Sequence, residues 1–247
     1  MARRLACGAV LVLALSACST DSSSSEAPSE PGAVSPSALS TEPASTDPTD
    51  TGEGAACTPP ELCGEELAPG EYASAVGATG MTFTVGEGWR GTEYGDLGFD
   101  LVRADVDLPQ VVSAAPYAGV VYADVCSGAE TENVGATAAD FVTFIADRPG
   151  ITARGDATEV TIGDRTGLQI DVDAADPGCV SEPPDRLWLW DLAGQTDFHL
   201  NVGEAARLVA LDGDDGVIVF VIETFDPAQF DALLELTQPV LDSIVFG

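Results

Sequence analysis

From Ser19 to about Ala56 the chain is built of Ser, Thr, Pro, Ala, Gly and acids, with Val34 and Leu39 its only larger apolar residues. Such a stretch cannot bury enough surface to offset the entropy of ordering it. Folding is therefore confined to the C-terminal side of this stretch, and residues 57–247 are expected to form one folded domain. The stretch itself reads as an extended, self-repelling spacer. Its root-mean-square span would be roughly 35 Å and its full reach about 125 Å. Its Ser, Thr and Pro density also permits O-glycosylation.

The residues ahead of the spacer have the parts of an export signal. Arg3 and Arg4 give a positive start, Leu5 to Leu15 an apolar run, and Ser16-Ala17 stand just before Cys18. The run is too short to cross a bilayer as a mature helix, which needs about 20 residues. Leu15-Ser16-Ala17-Cys18 resembles the bacterial lipobox. That resemblance implies cleavage after residue 17, lipidation of Cys18 and attachment to the outer face of the cell membrane. Cys7 lies within the apolar run and would leave with the signal. Leu5-Ala6-Cys7 is a poor continuation for a twin-arginine signal, so the general secretion route is expected.

The nine basic residues are all arginine; with abundant Ala, Gly, Val and Asp, this suggests a GC-rich, actinobacterial genome. After loss of residues 1–17, seven arginines face 41 acids, a formal charge of −34 with His neutral. No basic patch exists to hold nucleic acid or anionic lipid headgroups, so nucleic-acid binding is excluded. The acidity could serve capture of cations or basic peptides, but solubility is the simpler expectation.

Beyond Cys18 stand Cys57, Cys63, Cys126 and Cys179. An even number in an exported chain argues for two disulfides. Three connectivities are open, and Cys57–Cys63 with Cys126–Cys179 is preferred, the first closing a short loop through Pro59-Pro60. No CxxC and no second histidine supports a metal site.

Alternation predicts strands at Tyr72 to Val76, Met81 to Val85, Phe99 to Val102 and Ala118 to Val125, with Trp89 plugging the turn after Gly86-Glu87-Gly88. Asp105 to Pro116 reads as irregular. Thr137-Ala138-Ala139-Asp140 is capping-box-like and opens a helix carrying Phe141, Phe144 and Ile145, stopped by Pro149-Gly150. A hairpin turns at Gly163-Asp164, between Glu159 to Ile162 and Leu168 to Val172. In Leu187-Trp188-Leu189-Trp190, strand alternation puts both indoles on one face. Phe198 to Leu200, Leu208 to Leu211 and Val217 to Ile222 are further strands. Asp226, Pro227 and the spacing of Phe230, Leu233, Leu234, Val240, Leu241 and Ile244 give a closing helix, which Pro239 should kink or divide.

Three segments carry a resemblance: Phe83-Thr84-Val85-Gly86-Glu87-Gly88-Trp89, Ile162-Gly163-Asp164-Arg165, and Leu241-Asp242-Ser243-Ile244-Val245-Phe246. In this order they resemble the Mog1/PsbP-like fold, as found in the LpqN-type lipoproteins of actinobacteria. The resemblance spans roughly residues 67–247. It implies an α+β domain, an antiparallel sheet flanked by helices in an α/β/α sandwich. It implies accessory or binding roles without a shared active site.

No nucleophile elbow, HExxH, P-loop or dinucleotide fingerprint is present. His199, the single histidine, reads as a structural or solvent-facing strand residue. Asp212-Gly213-Asp214-Asp215-Gly216 fails as a calcium loop, because Gly216 and Val217 stand where a ligand and the obligate glycine belong; a hairpin turn is expected. Trp188 and Trp190 are the ligand-binding candidates, suited to stack on an acyl chain or a sugar ring. No catalytic residue, cofactor or metal ligand is assigned. The expected protein is a membrane-anchored, non-catalytic binding or accessory module of the cell envelope, its ligand an apolar molecule, a glycan or a protein partner. An envelope hydrolase using paired carboxylates is the alternative, and a structural spacer without a groove is a third reading. Convergence of acids with shifted ionisation in a cleft, against an apolar and acid-poor groove, is the discriminating observation.

Overall fold

Leu208-Val209-Ala210-Leu211 and the apolar run at 217–222 offer no polar face, so strands made from them need cover on both sides. The computed structural model describes residues 59–179, 185–192, 196–213 and 216–247, and in it both faces are covered. The strands in chain order are β1 (Cys63–Glu66), β2 (Gly70–Val76), β3 (Thr79–Val85), β4 (Trp89–Glu93), β5 (Phe99–Arg103), β6 (Gln110–Tyr117), β7 (Val120–Asp124) and β8 (Ser127–Asn133). After α1 (Ala138–Ala146) come β9 (Ile151–Ala153), β10 (Thr158–Ile162), β11 (Arg165–Ala174), β12 (Arg186–Leu192), β13 (Thr196–Asn201), β14 (Ala205–Gly213) and β15 (Gly216–Thr224). The chain closes with α2 (Phe230–Asp242) and β16 (Val245–Phe246).

The central sheet runs β1-β4-β5-β6-β15-β14-β11-β10, with β9 also paired to β11. Every pairing in it is antiparallel. Successive residues of β14 and β15 serve opposite interiors. Leu208, Ala210, Val217, Val219 and Val221 join one core, while Val209, Leu211, Ile218, Phe220 and Ile222 join the other. This is the period-two geometry of a strand read on two buried faces.

One face is covered by the sheet β13-β12-β7-β8 and by α1, the other by the sheet β16-β3-β2 and by α2. The fold is thus mostly antiparallel sheet with few helices. In place of the helical layers of an α/β/α sandwich, each outer layer is a small sheet with one helix beside it. The covering segments alternate with period two, as in the buried Met81, Phe83 and Val85 of β3, and so they cover as strands.

Two local expectations change. The stretch read as irregular contains β6, in the middle of the central sheet. Its Ser113, Ala114 and Ala115 conceal the alternation. Pro116 lies beyond the pairing with β5, which ends at Ala114, and faces Ile218 on the β15 side alone. Pro239 does not divide the closing helix, which runs unbroken from Phe230 to Asp242. The proline stands on the exposed side, where water can take the carbonyl it leaves unbonded.

The local grammar at the helix starts is realised. Thr137 Oγ1 accepts from the Asp140 backbone N–H at 3.1 Å, and Asp140 Oδ2 accepts from the Thr137 N–H at 3.2 Å. The Asp226 carboxylate accepts from the Ala228 N–H at 3.1 Å, with Pro227 following the cap.

Candidate functional site

Small side chains on β6 open a space in the first of these two cores. Ser113 and Ala115 face β13, and neither fills the gap beneath that edge strand. The result is a cleft of about 490 Å³ between β13 and the β5–β6–β15 part of the central sheet. Its apolar walls include Leu97, Val102, Val111, Leu192 and Phe198. Its polar lining is Tyr94, Asp100, Ser113, Asp197, His199, Asn201 and Glu223. No arginine among the described residues lines it.

The acids are held in unfavourable surroundings. Burial pushes the Asp100 carboxyl up, partly offset by the Tyr94 hydroxyl, which donates to its Oδ2 at 3.0 Å. Glu223 is pushed well above 4.5, first by burial and then by the charges of Glu204 and Asp100. Glu204, 1% exposed, is also raised by burial. It nevertheless accepts from the Asn201 backbone N–H at 2.6 Å and from its side-chain amide at 2.7 Å. His199 is pulled below 6.5 by burial and by Arg186, so its imidazole is neutral at pH 7. Asp197 accepts a close hydrogen bond from the Tyr122 hydroxyl.

Three buried polar atoms on cleft-lining residues have no hydrogen-bond partner: Ser113 Oγ, Glu223 Oε2 and His199 Nδ1. Each such atom in a folded interior costs about 1–3 kcal/mol relative to a bonded one. Their concentration beside one cleft marks it as the place where an outside group can be received.

The two tryptophans expected to share a face do not. Trp188 pairs with His199 and Trp190 with Phe198, so two residues advance on β12 for one on β13. This bulge reverses the alternation after Trp188. Trp190 is fully buried with Leu187 and Leu189, lying flat on Phe198 and edge-on to Phe141. Trp188 is turned to the other side, against Tyr122 and His199. Neither indole lines the cleft; each reaches it through the β13 residue it packs on.

No family model matches this chain, and no curated protein does either. Among solved structures it is similar in fold to LpqN of Mycobacterium tuberculosis, described as involved in cell envelope biogenesis. Identity there is 14%, the match covers 72% of this chain and 90% of LpqN, and the TM-score is 0.40. The cyanobacterial PsbP (CyanoP) of Synechocystis sp. PCC 6803 is similar at 12% identity, over 74% of this chain and 95% of its own, with a TM-score of 0.38.

Of the remaining residues singled out in the sequence, Cys126 and Cys179 form a disulfide, with Cα atoms 5.3 Å apart. Cys63 is also disulfide-bonded. Cys57 and Cys18 lie outside the described residues, as do Asp214 and Asp215. Asp212 does structural work at its hairpin: its carboxylate accepts from the Ala138 N–H at 2.8 Å, at the first turn of α1. Among the described residues no group of three or more His, Cys, Asp or Glu side chains is placed to hold a metal ion. Among the same residues no helix is long and apolar enough to cross a membrane.

Asp100, Ser113 and Glu223 are the site residues that sequence reasoning missed. Glu223 carried a signal. It continues the inward-facing series Val217, Val219 and Val221, where an acid is out of place.

Proposed function

We propose that this chain is a lipid-anchored, extracytoplasmic, non-catalytic binding protein of the cell envelope, and that the cleft beside β13 is its binding site. Arg3-Arg4, the apolar run and Leu15-Ser16-Ala17-Cys18 support the anchor, and the polar stretch after Cys18 supports display at a distance from the membrane. One observation carries the binding site: an apolar-walled cleft whose buried Ser113 Oγ, Glu223 Oε2 and His199 Nδ1 are left without partners. Such a site, mostly apolar with a few convergent polar groups, has the make-up of a small-molecule pocket.

A hydrolase working through paired carboxylates is the second reading, favoured by the presence of acids in one cleft. Its chemistry needs two acids whose ionisation is driven apart, one kept protonated and one kept charged. Asp100, Glu204 and Glu223 are all driven the same way, upward. That arrangement suits reception of a ligand better than acid–base turnover.

The test has two parts. Cys18→Ala should move the protein from the membrane fraction to the soluble fraction, and retention in the membrane would remove the anchor from the reading. The soluble full-length Cys18→Ala protein, exported from a bacterial host and never denatured, should carry a non-covalent small-molecule adduct in native mass spectrometry. Adding Ser113→Trp, which fills the cleft, should abolish it. An adduct that survives the filled cleft places binding elsewhere.

A further inference from the structure

The chemistry of the cleft also specifies a ligand class, an inference that rests on the cleft being a binding site. Three kinds of observation converge. Ser113 is only 6% exposed and its Oγ is unpartnered, as are Glu223 Oε2 and the Nδ1 of a neutral His199. A hydroxyl oxygen and a carboxyl oxygen can each accept a hydrogen bond.

Charge points the same way. Asp100, Asp197 and Glu223 line the cleft, and Glu204 stands beside Glu223. Arg103 is paired with Asp105, Arg154 with Asp173 and Arg207 with Asp171, all away from the cleft. Among the described residues no arginine lines the cleft, so its acids have no ion-pair partner within it, the situation a bound cation relieves most. A metal ion would need several ligands gathered at one point, and the described residues offer no such group.

The walls describe the rest of the ligand. Leu97, Val102, Val111 and Phe198 present apolar and aromatic surface. The exposed Leu108 and Phe225 stand at the same end of β6 and β15 as Val111 and Glu223, joined by the Phe225 N–H to Pro109 carbonyl bond at 3.2 Å. Apolar surface thus continues from the cleft toward solvent. We infer that the cleft takes a small organic ammonium ion on an apolar or aromatic body, its N–H groups received by Glu223, Asp100 and Ser113. A –NH₃⁺ group brings three donors and a positive charge to a site rich in acceptors and acids.

The experiment compares three probes of similar shape on the soluble full-length Cys18→Ala protein: 2-phenylethylammonium, neutral 2-phenylethanol and anionic phenylacetate. Binding is followed by calorimetry and by one-dimensional ligand NMR at pH 7 in 0.15 M salt, which screens attraction to the general acidic surface. The ammonium probe should bind at least about tenfold more tightly than the alcohol, and phenylacetate should not bind. Glu223→Gln and, independently, Asp100→Asn should each weaken the ammonium about tenfold or more while leaving the alcohol unchanged. Equal binding of alcohol and ammonium would overturn the cation inference and leave the cleft a binding site. Ammonium binding indifferent to both substitutions would overturn it by placing the cation elsewhere. Binding of none of the three would overturn the inference and the cleft reading together.

Discussion

The indole of Trp190 lies on the ring of Phe198 with centroids 3.9 Å apart and planes 10° from parallel. The pair ties β12 to β13 and sets one wall of the cleft. Trp190→Ala should destabilise the protein by about 3–5 kcal/mol, the usual range for removing a buried large aromatic. Trp188→Ala should cost less than half as much, because that ring is only partly buried. Urea denaturation of both variants checks this, and equal losses would contradict the division of roles made by the bulge.

Glu223 gives the stability a pH slope of defined sign. Its folded-state pKa lies well above the ordinary 4.5, so the folded chain holds a proton that the unfolded chain has released. Stability contributed by that group is full below pH 4.5 and falls as pH rises toward the folded value. Glu223→Gln should match the parent near pH 4.5 and exceed it at pH 7–8 by roughly 1–3 kcal/mol, the cost of a buried polar group left unpaired. Asp100 and Glu204 are raised too, so part of the slope should remain. Urea midpoints between pH 4.5 and 8 decide it; a difference that does not change with pH would refute the assignment.

The Cys126–Cys179 bridge joins residues 53 apart in sequence, tying the end of β7 to the segment before β12. A loop of that length implies about 4 kcal/mol of lost unfolded-state entropy. The double variant Cys126→Ser, Cys179→Ser should therefore lose about 2–4 kcal/mol in equilibrium unfolding. A loss below 1 kcal/mol would mean that the cross-link constrains little in the unfolded chain.

Two glycines separate backbone strain from collision. Gly77 has φ +59° and open space where a Cβ would stand, whereas Gly98 has φ +106° and would place that Cβ 1.8 Å from the Ala114 carbonyl oxygen. Gly77→Ala should cost about 1–2 kcal/mol from conformation alone. Gly98→Ala must also push β5 off β6 at the floor of the cleft, and a loss of about 4 kcal/mol or more is expected. Thermal unfolding of the two variants side by side is the check, and similar midpoints would argue against the close approach.

What the sequence disclosed was what neighbours in the chain decide. The Thr137–Asp140 capping box, the turn at Gly163-Asp164, the β14–β15 hairpin and the preference for Cys126–Cys179 all needed only local spacing or a short choice among pairings. The position of Trp190 depended on a one-residue slip against β13, a partner that periodicity within β12 does not reveal. β6 was hidden because a strand of Ser, Ala and Pro acquires its character from the strands on either side. The cleft was hidden for a related reason. Asp100 and Glu223 look like ordinary acids among 41 until the sheet is known to be covered on both faces. Only then does each become a half-buried carboxyl beside a cleft.

The two-sided burial of β15 has a consequence for how the sequence tolerates insertions and deletions. Gly213 and Gly216 are paired at the turn, and from there each successive residue is dealt alternately to one interior and then the other. Loss of a single residue in that turn would send Phe220 and Ile222 to the side shaped for Val219 and Val221, and bring Glu223 among the aromatics of the opposite core. The ladder of hydrogen bonds here works as a reading frame, and a frameshift in it would spoil two interiors at once.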